Sequence, residues 1–363
     1  MSWFHTLGPF LWDSCVGAPT SEVVAERCLA NMPPAEAEAL KGKIAIVTGC
    51  TMGGIGAVTA RILAGKAKMQ VVAVGRTRSK LDRTIDDIMK EYPEAQVVPM
   101  LCDVSLLSSV RAFAAAFEER FPAANHDLAL LVNNAGIMAS PFSLTKEGLE
   151  SQMATNHLGP FLLTTLLLSR LKKASQSFLK ASVASKESSI SDESPFLSSS
   201  QLKRPLRCAR VVTVASCAHA LPCQLEPENL NRKYGASKGG PMFAYGRSKR
   251  CNVLFAQELA ARQDDVASVS VHPGNVLTNL GDHNPAIGFL LRATCCIHKN
   301  ATQGAATTIY TCLATGIGEI DDTKGAYFMG LGKATKVECD EDAAARVWAT
   351  SVKLTRLGME ESK

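Results

Sequence analysis

The chain has 363 residues, 46% of them hydrophobic and 20% charged, which is typical of a folded globular protein and excludes wholesale disorder. The formal net charge of +5 is small and spread along the chain, so it gives no indication of a nucleic-acid partner. Twelve cysteines at irregular spacings, without a Cys-x-x-Cys pair, favour reduced thiols in a cytoplasmic compartment and predict no metal site. No apolar run is long enough to predict a membrane-spanning helix.

Residues 1–42 form a predicted N-terminal extension. Its aromatic start, which includes Trp3, Phe4 and Trp12, lacks the basic residues and the long apolar core of a secretory signal. We interpret this segment as a flap that packs on the rest of the chain. Peripheral contact with an intracellular membrane is the alternative.

Residues 43–356 alternate between short β-branched segments and helical segments. Continuous apolar strands separated by helices indicate a parallel sheet that is buried on both faces. This pattern predicts one doubly wound α/β (Rossmann) domain with about seven parallel strands and helices on both faces. The predicted strands are 43–48, 70–75, 96–102, 128–133, 210–215 and 268–272, and the predicted helices include 57–66, 78–91, 105–121 and about 146–173.

A serine-rich segment interrupts this alternation at about residues 175–207. Eleven serines lie between Ser175 and Ser200, together with lysine, glutamate and proline. Such a composition buries too little apolar surface to offset the entropy lost on ordering. We therefore predict a flexible insertion between the long helix and the next strand.

The first predicted strand ends in a glycine-rich turn, Thr48-Gly-Cys-Thr-Met-Gly-Gly-Ile-Gly56, which a helix follows. Glycines let the backbone approach a pyrophosphate closely, and the helix start offers unpaired N–H groups to its oxygens. This position in the chain predicts a dinucleotide-binding turn. The candidate contact residues are Gly49, Thr51, Gly54, Ile55 and Gly56.

The ends of the next three strands add candidate cofactor contacts. Arg76, Arg78 and Lys80 follow the second strand without an acidic residue, which favours the 2′-phosphate of NADP(H) and makes NAD(H) the lesser alternative. Asp103 and Val104 end the third strand, where the carboxylate can reach an adenine. Beyond the fourth strand, Asn133 and Ala135 are candidates in Asn-Asn-Ala-Gly136, although one of the two asparagines can instead be purely structural.

Two Tyr-x-x-x-Lys motifs are candidates for the catalytic pair. On a helix, a spacing of four residues places both side chains on one face. Tyr234 and Lys238 run into Gly-Gly-Pro241, which would end a helix, whereas Tyr245 and Lys249 continue into an uninterrupted helical segment. We therefore assign the pair to Tyr245 and Lys249, in which the ammonium would lower the pKa of the phenol.

Two further side chains complete the catalytic set. Ser216 ends the fifth strand and can hydrogen-bond the reacting oxygen, while Asn156 can hold a water in a proton relay. His219 could act as a base, but a histidine in a loop is more often structural.

The order of these motifs closely resembles the short-chain dehydrogenase/reductase family, over about residues 41–352. The shared elements include Asn133-Asn-Ala-Gly136, Ser216, Tyr245 with Lys249, and His272-Pro-Gly274. The resemblance implies a catalytic tetrad of Asn156, Ser216, Tyr245 and Lys249. It also implies that Lys249 binds the nicotinamide ribose and that Thr278, with Val276 nearby, binds the carboxamide. The C-terminal half resembles retinol dehydrogenases and the catalytic domain of the WW-domain-containing oxidoreductase, although no WW domain is present.

The chain departs from the family pattern by one extra residue, Gly53 or Gly54, which leaves the phosphate contacts open. We expect an NADP(H)-dependent oxidoreductase that interconverts a carbonyl and an alcohol on a small lipophilic, retinoid- or steroid-like substrate beneath an apolar lid at 286–292. The alternatives are a cofactor-binding redox sensor or scaffold with little turnover, and a pigment-type reductase related to protochlorophyllide reductase. The family often assembles through its long helices, so a homo-oligomer is a further expectation.

Overall fold

The computed structural model describes residues 18–187, 209–222, 224–231, 240–276, 298–318, 323–331, 333–335, 337 and 340–356. Within them, eight strands form one sheet in the order β3-β2-β1-β4-β5-β6-β7-β8, and every neighbouring pair is parallel except β7 and β8. The strands are β1 (Ile44–Thr48), β2 (Gln70–Gly75), β3 (Val97–Leu101), β4 (Leu128–Asn133), β5 (Ala209–Val214), β6 (Val266–Val271), β7 (Tyr327–Gly330) and β8 (Lys333–Thr335).

The helices cover both faces of this sheet, so the predicted doubly wound fold is confirmed, with eight strands rather than about seven. They are α1 (Ser21–Ala30), α2 (Pro34–Leu40), α3 (Ile55–Gly65), α4 (Arg78–Glu91), α5 (Leu107–Arg120), α6 (Ser151–Met153), a π-helical turn (Ala154–Leu158), α7 (Gly159–Leu166), α8 (Leu168–Glu187), α9 (Gly240–Arg262), α10 (Ala301–Leu313) and α11 (Glu341–Thr355).

Strand β1 shows why the core has two halves. Successive side chains of a strand point to opposite faces of the sheet. Ile44 and Ile46 accordingly pack with α5, α7 and α9, while Ala45 and Val47 pack with α1, α3 and α10. All five residues of β1 are buried, as expected of a strand that lies between two layers of helices.

The strand order also places a ligand site. Strand β1 lies between β2 and β4. From the end of β1 the chain continues to one side of the sheet, toward β2, and from the end of β4 it continues to the other side, toward β5. A crevice opens at such a reversal of direction, outside the carboxyl ends of the strands. The glycine-rich turn follows β1 and Asn-Asn-Ala-Gly136 follows β4, so both motifs lie beside this crevice.

Helices near both ends of the described chain pack on the domain. Helix α1 contributes Val24 and Ala25 to the core half that contains α10, although it lies inside the predicted 1–42 extension. Helix α11 packs its Trp348 against Phe161 of α7 and Phe255 of α9, with ring centroids 5.0 and 6.0 Å apart. None of the helices in the described residues is long and apolar enough to cross a membrane.

The long helix predicted over about 146–173 differs in its bounds. It begins at Ser151, where the Glu150 carboxylate accepts hydrogen bonds from the Gln152 and Met153 amides, and it is interrupted at Leu167. The following helix α8 continues to Glu187, so it includes the first part of the serine-rich segment, with Ser175 and Phe178 buried. The flexible insertion stays a prediction for residues 188–207, which lie outside the described residues.

Candidate active site

A cavity of about 380 Å³ lies at the carboxyl edge of the sheet, within the range of small-molecule and cofactor sites. It extends from the glycine-rich turn to the Tyr245 and Lys249 pair. Ten of the predicted site residues line it: Gly49, Thr51, Gly54, Ile55, Arg76, Asp103, Val104, Ala135, Tyr245 and Lys249. Pro273 of the His272-Pro-Gly274 motif also lines it, whereas sequence reasoning had not singled out the lining residues Ile137 and Thr155.

The extra residue of the glycine-rich turn is accommodated by a tight turn over 51–54. The Gly54 amide donates to the Thr51 carbonyl at 2.9 Å, and Gly53 has a φ of +78° that a glycine adopts easily. The side chain of Met52 projects outward, with 47% of its surface exposed. Since the turn bulges away from the cavity, Gly54 still precedes the first residue of α3.

Gly49 lies where the loop after β1 contacts the loop after β4. A Cβ atom on Gly49 would lie 2.9 Å from the Ala135 Cα, and its φ of +76° disfavours other residues. The Thr48 hydroxyl accepts hydrogen bonds from the Asn134 and Ala135 amides, both at 3.0 Å. These contacts hold the two loops together at the floor of the cavity.

The three cations after β2 are not equivalent. Arg76 and Lys80 both line the cavity and both are exposed. Arg78 instead donates to Asp82 at 2.8 Å, one turn further along α4, and is absent from the described lining. A phosphate beside Gly75 would therefore meet Arg76 and Lys80 rather than Arg78.

The two asparagines after β4 have structural contacts. Asn134 donates its side-chain N–H to the Thr48 carbonyl at 2.7 Å, which ties β4 to β1. Asn133 is buried and donates to the Thr164 hydroxyl of α7 at 2.9 Å. Asn133, a predicted cofactor contact, is thus turned toward α7 and does not line the cavity. Gly56 is also absent from the lining and packs closely against Asn134, whose side-chain nitrogen would lie 2.4 Å from a Cβ on Gly56.

Helix α9 carries the candidate catalytic pair. It begins at Gly240 with Pro241 in its first turn, where proline has no intrahelical donor to lose. Tyr245 and Lys249 are buried, 4% and 3% exposed, and the Lys249 Nζ lies 5.7 Å from the centre of the Tyr245 ring. Lys249 also donates to the Val214 carbonyl at the end of β5, at 2.7 Å. The helix spacing therefore brings the two side chains together at one end of the cavity.

Ser216 lies beside this pair, although it is not among the cavity-lining residues. Its hydroxyl lies close enough to the Tyr245 phenol to lower the pKa of that phenol. The same oxygen accepts the Ala218 amide at 3.2 Å, at the start of a short 3₁₀ turn, Cys217–Ala220. A serine and a tyrosine hydroxyl thus face each other, as shared binding of one substrate oxygen requires.

The pKa of Tyr245 departs from the lowering that the spacing predicts. Burial raises its pKa, and the hydrogen bond from Ser216 opposes this only in part. Burial also lowers the pKa of Lys249 to about 7. The same loss of solvent therefore disfavours the charged form of each member of the pair.

Asn156 lies in the π-helical turn, and its side chain has a full set of protein partners. Its Oδ1 accepts the Ile137 amide at 2.8 Å, while its Nδ2 donates to the Ile137 carbonyl at 3.0 Å and to the Ser248 hydroxyl at 2.9 Å. The amide therefore joins the loop after β4 to helix α9. Because both side-chain N–H groups are used, a relay water could bind only to an oxygen atom of Asn156.

Several predicted positions lie outside the described residues or away from the cavity. Thr278, the Tyr234 motif and the apolar lid at 286–292 fall outside the described residues. Val276 pairs with Lys299 in an isolated bridge and packs against Gly304 of α10, and it is absent from the described cavity lining.

The fold and this arrangement define an oxidoreductase that uses a nicotinamide dinucleotide. Residues 43–189 match the short chain dehydrogenase family model. The chain belongs to this family, since retinol dehydrogenase 12 of Homo sapiens is 34% identical over 320 residues, covering 87% of each chain. The predicted family membership is confirmed.

Other relatives support the subfamily resemblance. Short-chain dehydrogenase TIC 32 A of Brassica napus is 33% identical and covers 85% of this chain and 88% of its own. The WW domain-containing oxidoreductase of Gallus gallus is 34% identical and covers 88% of this chain and 67% of its own. Among solved structures, an uncharacterised protein from Mycobacterium paratuberculosis matches with a TM-score of 0.60 at 30% identity, covering 90% of this chain and 97% of its own.

Proposed function

We propose that the protein interconverts a carbonyl and an alcohol on a lipophilic substrate, with NADP(H) as the hydride carrier. The observation that carries this proposal is that the Tyr245 phenol lies beside Ser216 and Lys249, at the end of a cavity that begins at a glycine-rich turn. A glycine turn alone suits many nucleotide-binding proteins. The added phenol, hydroxyl and amine provide what acid–base work on a carbonyl oxygen requires.

The residues present fit a nicotinamide dinucleotide. Gly49 and Gly54 keep the backbone at the start of α3 accessible to a pyrophosphate, and Asp103 and Val104 line the part of the cavity that would hold the adenine. Arg76 and Lys80 supply positive charge for a 2′-phosphate, which supports NADPH over NADH. The nicotinamide supplies or accepts the hydride when bound.

The protein's own groups then manage the proton and the reacting oxygen. We assign the proton exchange with this oxygen to Tyr245, and its alignment to the Ser216 hydroxyl. Lys249 lies on the same helical face as Tyr245 and can hold the ribose. When its amine is protonated, it can also stabilise the Tyr245 phenolate. Asn156 fixes the loop after β4 against α9, and its backbone carbonyl is the proposed site for a relay water.

Two observations support a lipophilic substrate. Met242 is an apolar side chain that is 38% exposed, and it lies three residues before Tyr245, a spacing that places the two side chains on neighbouring positions of one helical face. The relatives include retinol dehydrogenases, whose name specifies a lipophilic alcohol. Peripheral membrane contact would give access to such substrates, and liposome co-sedimentation with and without residues 1–17 tests it.

The direct test is a comparison of carbonyl substrates with purified protein. NADPH oxidation is followed by absorbance with retinaldehyde, a steroid ketone and a small polar aldehyde, and we expect turnover on the apolar compounds. Tyr245→Phe should lower kcat by about 10²- to 10⁴-fold while NADPH still binds. Tyr310→Phe on α10 is the matched control, since that tyrosine does not line the described cavity. Full activity of the Tyr245 variant would refute the proposed chemistry.

NADPH binding without turnover on a broad panel would favour the alternative of a cofactor-binding sensor. A requirement for light in turnover would favour the pigment-type reductase. Both outcomes are compatible with the fold and with the cofactor site, so they would change only the reaction that we assign to the protein.

A further inference from the structure

A second row of side chains lies behind the candidate catalytic hydroxyls. It consists of Cys217, His219, His272 and Tyr327, which come from the 3₁₀ turn after β5, the end of β6 and the start of β7. All four are buried or largely buried. The proposed acid–base chemistry does not use any of them directly, so their contacts need another explanation.

His219 contacts the backbone of Ser216 twice. Its Nδ1 lies 2.8 Å from the Ser216 carbonyl oxygen, and its amide nitrogen lies 3.0 Å from the same oxygen. Because a carbonyl only accepts hydrogen bonds, the proton must lie on Nδ1. Burial lowers the pKa of His219, and the positive charge of Arg250 adds to this, while the Ser216 carbonyl opposes it. The ring is therefore a neutral donor with one defined tautomer.

His219 thus holds the backbone of the residue that carries the Ser216 hydroxyl. The Ala218 amide donates to the Ser216 Oγ at 3.2 Å, which occupies one acceptor position of the hydroxyl. On the other side, the Cys217 amide donates to His272 Nδ1 at 3.3 Å. The turn is thus held at the Ser216 carbonyl, at the Cys217 amide and at the Ala218 amide.

Tyr327 holds the imidazole in place by its ring. The two ring centroids are 4.6 Å apart with an interplanar angle of 68°, an edge-to-face contact. Tyr327 is only 1% exposed, and its hydroxyl has no hydrogen-bond partner within the described part of the chain. Burying an unpaired hydroxyl costs free energy, so the packing of the ring, and not the hydroxyl, accounts for this contact.

We propose that His219 is a positioning residue, which orients the Ser216 hydroxyl toward the substrate oxygen and is itself held by the ring of Tyr327. This inference rests on the proposed function for its effect on turnover. Its structural part, the control of the Ser216 turn, does not depend on which substrate the enzyme takes.

The test uses two pairs of variants in the full-length protein. His219→Leu removes the side-chain donor, whereas His219→Asn keeps an N–H at the position of Nδ1. We expect His219→Leu to lower kcat by about 10- to 100-fold, as misplacement of a catalytic group does, with NADPH affinity within about twofold of the wild type. His219→Asn should restore most of kcat. Tyr327→Phe should leave kcat unchanged, while Tyr327→Leu should lower it.

Amide hydrogen exchange gives a readout that needs no turnover. In His219→Leu, the Cys217 and Ala218 amides should exchange at least about tenfold faster than in the wild type, because their hydrogen bonds depend on the held turn. His219→Asn should exchange like the wild type. If the wild type shows no turnover, the proposed function fails and exchange still decides this inference.

Equal exchange in His219→Leu and the wild type would overturn the inference. So would an Asn variant as impaired as the Leu variant, because then the volume of the ring matters and not its donor. Loss of NADPH binding in step with kcat would also overturn it, since this would indicate a general loss of structure.

Discussion

The structure separates the cations after β2 into two that line the cavity and one that does not, and this predicts the cofactor preference of single variants. Arg76 lines the cavity close to where a 2′-phosphate would lie, whereas Arg78 is paired with Asp82. Arg76→Ala should therefore weaken NADPH binding and leave NADH binding unchanged. Arg78→Ala is the matched control, because it removes the same charge only two residues further along the chain, at the start of α4.

The size of this effect follows from the exposure of Arg76. A hydrogen bond between charged groups contributes about 1.5–3 kcal/mol, and the lower end applies because solvent screens an exposed side chain. A loss of about 1.5–2 kcal/mol corresponds to a 10- to 30-fold higher Kd for NADPH. Removing Lys80 as well should bring the NADPH and NADH affinities close together.

The assay is a fluorescence titration of the reduced cofactors at two salt concentrations. The difference between wild type and Arg76→Ala should shrink at high salt, because salt screens exposed charges. The reasoning is refuted if Arg78→Ala weakens NADPH binding as much as Arg76→Ala does. It is also refuted if Arg76→Ala weakens NADH binding equally, since NADH has no 2′-phosphate.

Three further changes test the turn, the buried lysine and the C-terminal helix. Gly53→Ala should lower the stability by about 1–2 kcal/mol through its positive φ alone and leave the NADPH affinity intact. Gly49→Ala should also abolish NADPH binding, because its Cβ would lie 2.9 Å from a neighbouring backbone atom. Thermal unfolding measures the first effect and cofactor titration the second. Because burial lowers the Lys249 pKa to about 7, the unfolded chain binds a proton that the folded chain lacks between about pH 7 and 10. The free energy of unfolding should therefore rise with pH from 7 to 9, and urea titrations of Lys249→Met should show this rise removed. Trp348→Ala should lower the free energy of unfolding by about 3 kcal/mol, and a change below 1 kcal/mol in urea titrations would contradict the aromatic packing of α11.

The parts of the fold that local pattern determines were predicted well. The bounds of β2, β4 and α4 agree with the prediction to the residue, because glycine, charged or polar residues flank apolar runs of the right length. The glycine-rich turn and the Tyr245 helix were placed correctly for the same reason: their signals lie within a few consecutive residues.

The helix around Asn156 shows what local pattern misses. Its start depends on the Glu150 carboxylate, and its extension to Glu187 depends on the burial of Ser175 and Phe178 against distant strands. Serine content alone favours disorder, but tertiary packing overrides propensity where an apolar face finds a partner. Composition could not reveal that partner.

The candidate site shows the same division. The residue types and their order were evident from the chain, and most of them meet at one cavity. The directions in which their side chains point were not evident from the chain. Asn133 turns away toward Thr164, and the pKa of Tyr245 is raised because segments far along the chain bury it. Sequence spacing describes neighbours on one helix, whereas burial depends on the whole fold.

The outward bulge of residues 51–54 has a consequence for recognising related proteins. The additional residue is absorbed on the solvent side, with Met52 exposed and, among the described residues other than its chain neighbours, no atom within 4 Å of a Cβ on Gly53. Length at this point can therefore vary without moving the backbone that faces the ligand. A pattern search with fixed glycine spacing would miss such chains, while a search that allows a gap after Thr51 would retain them.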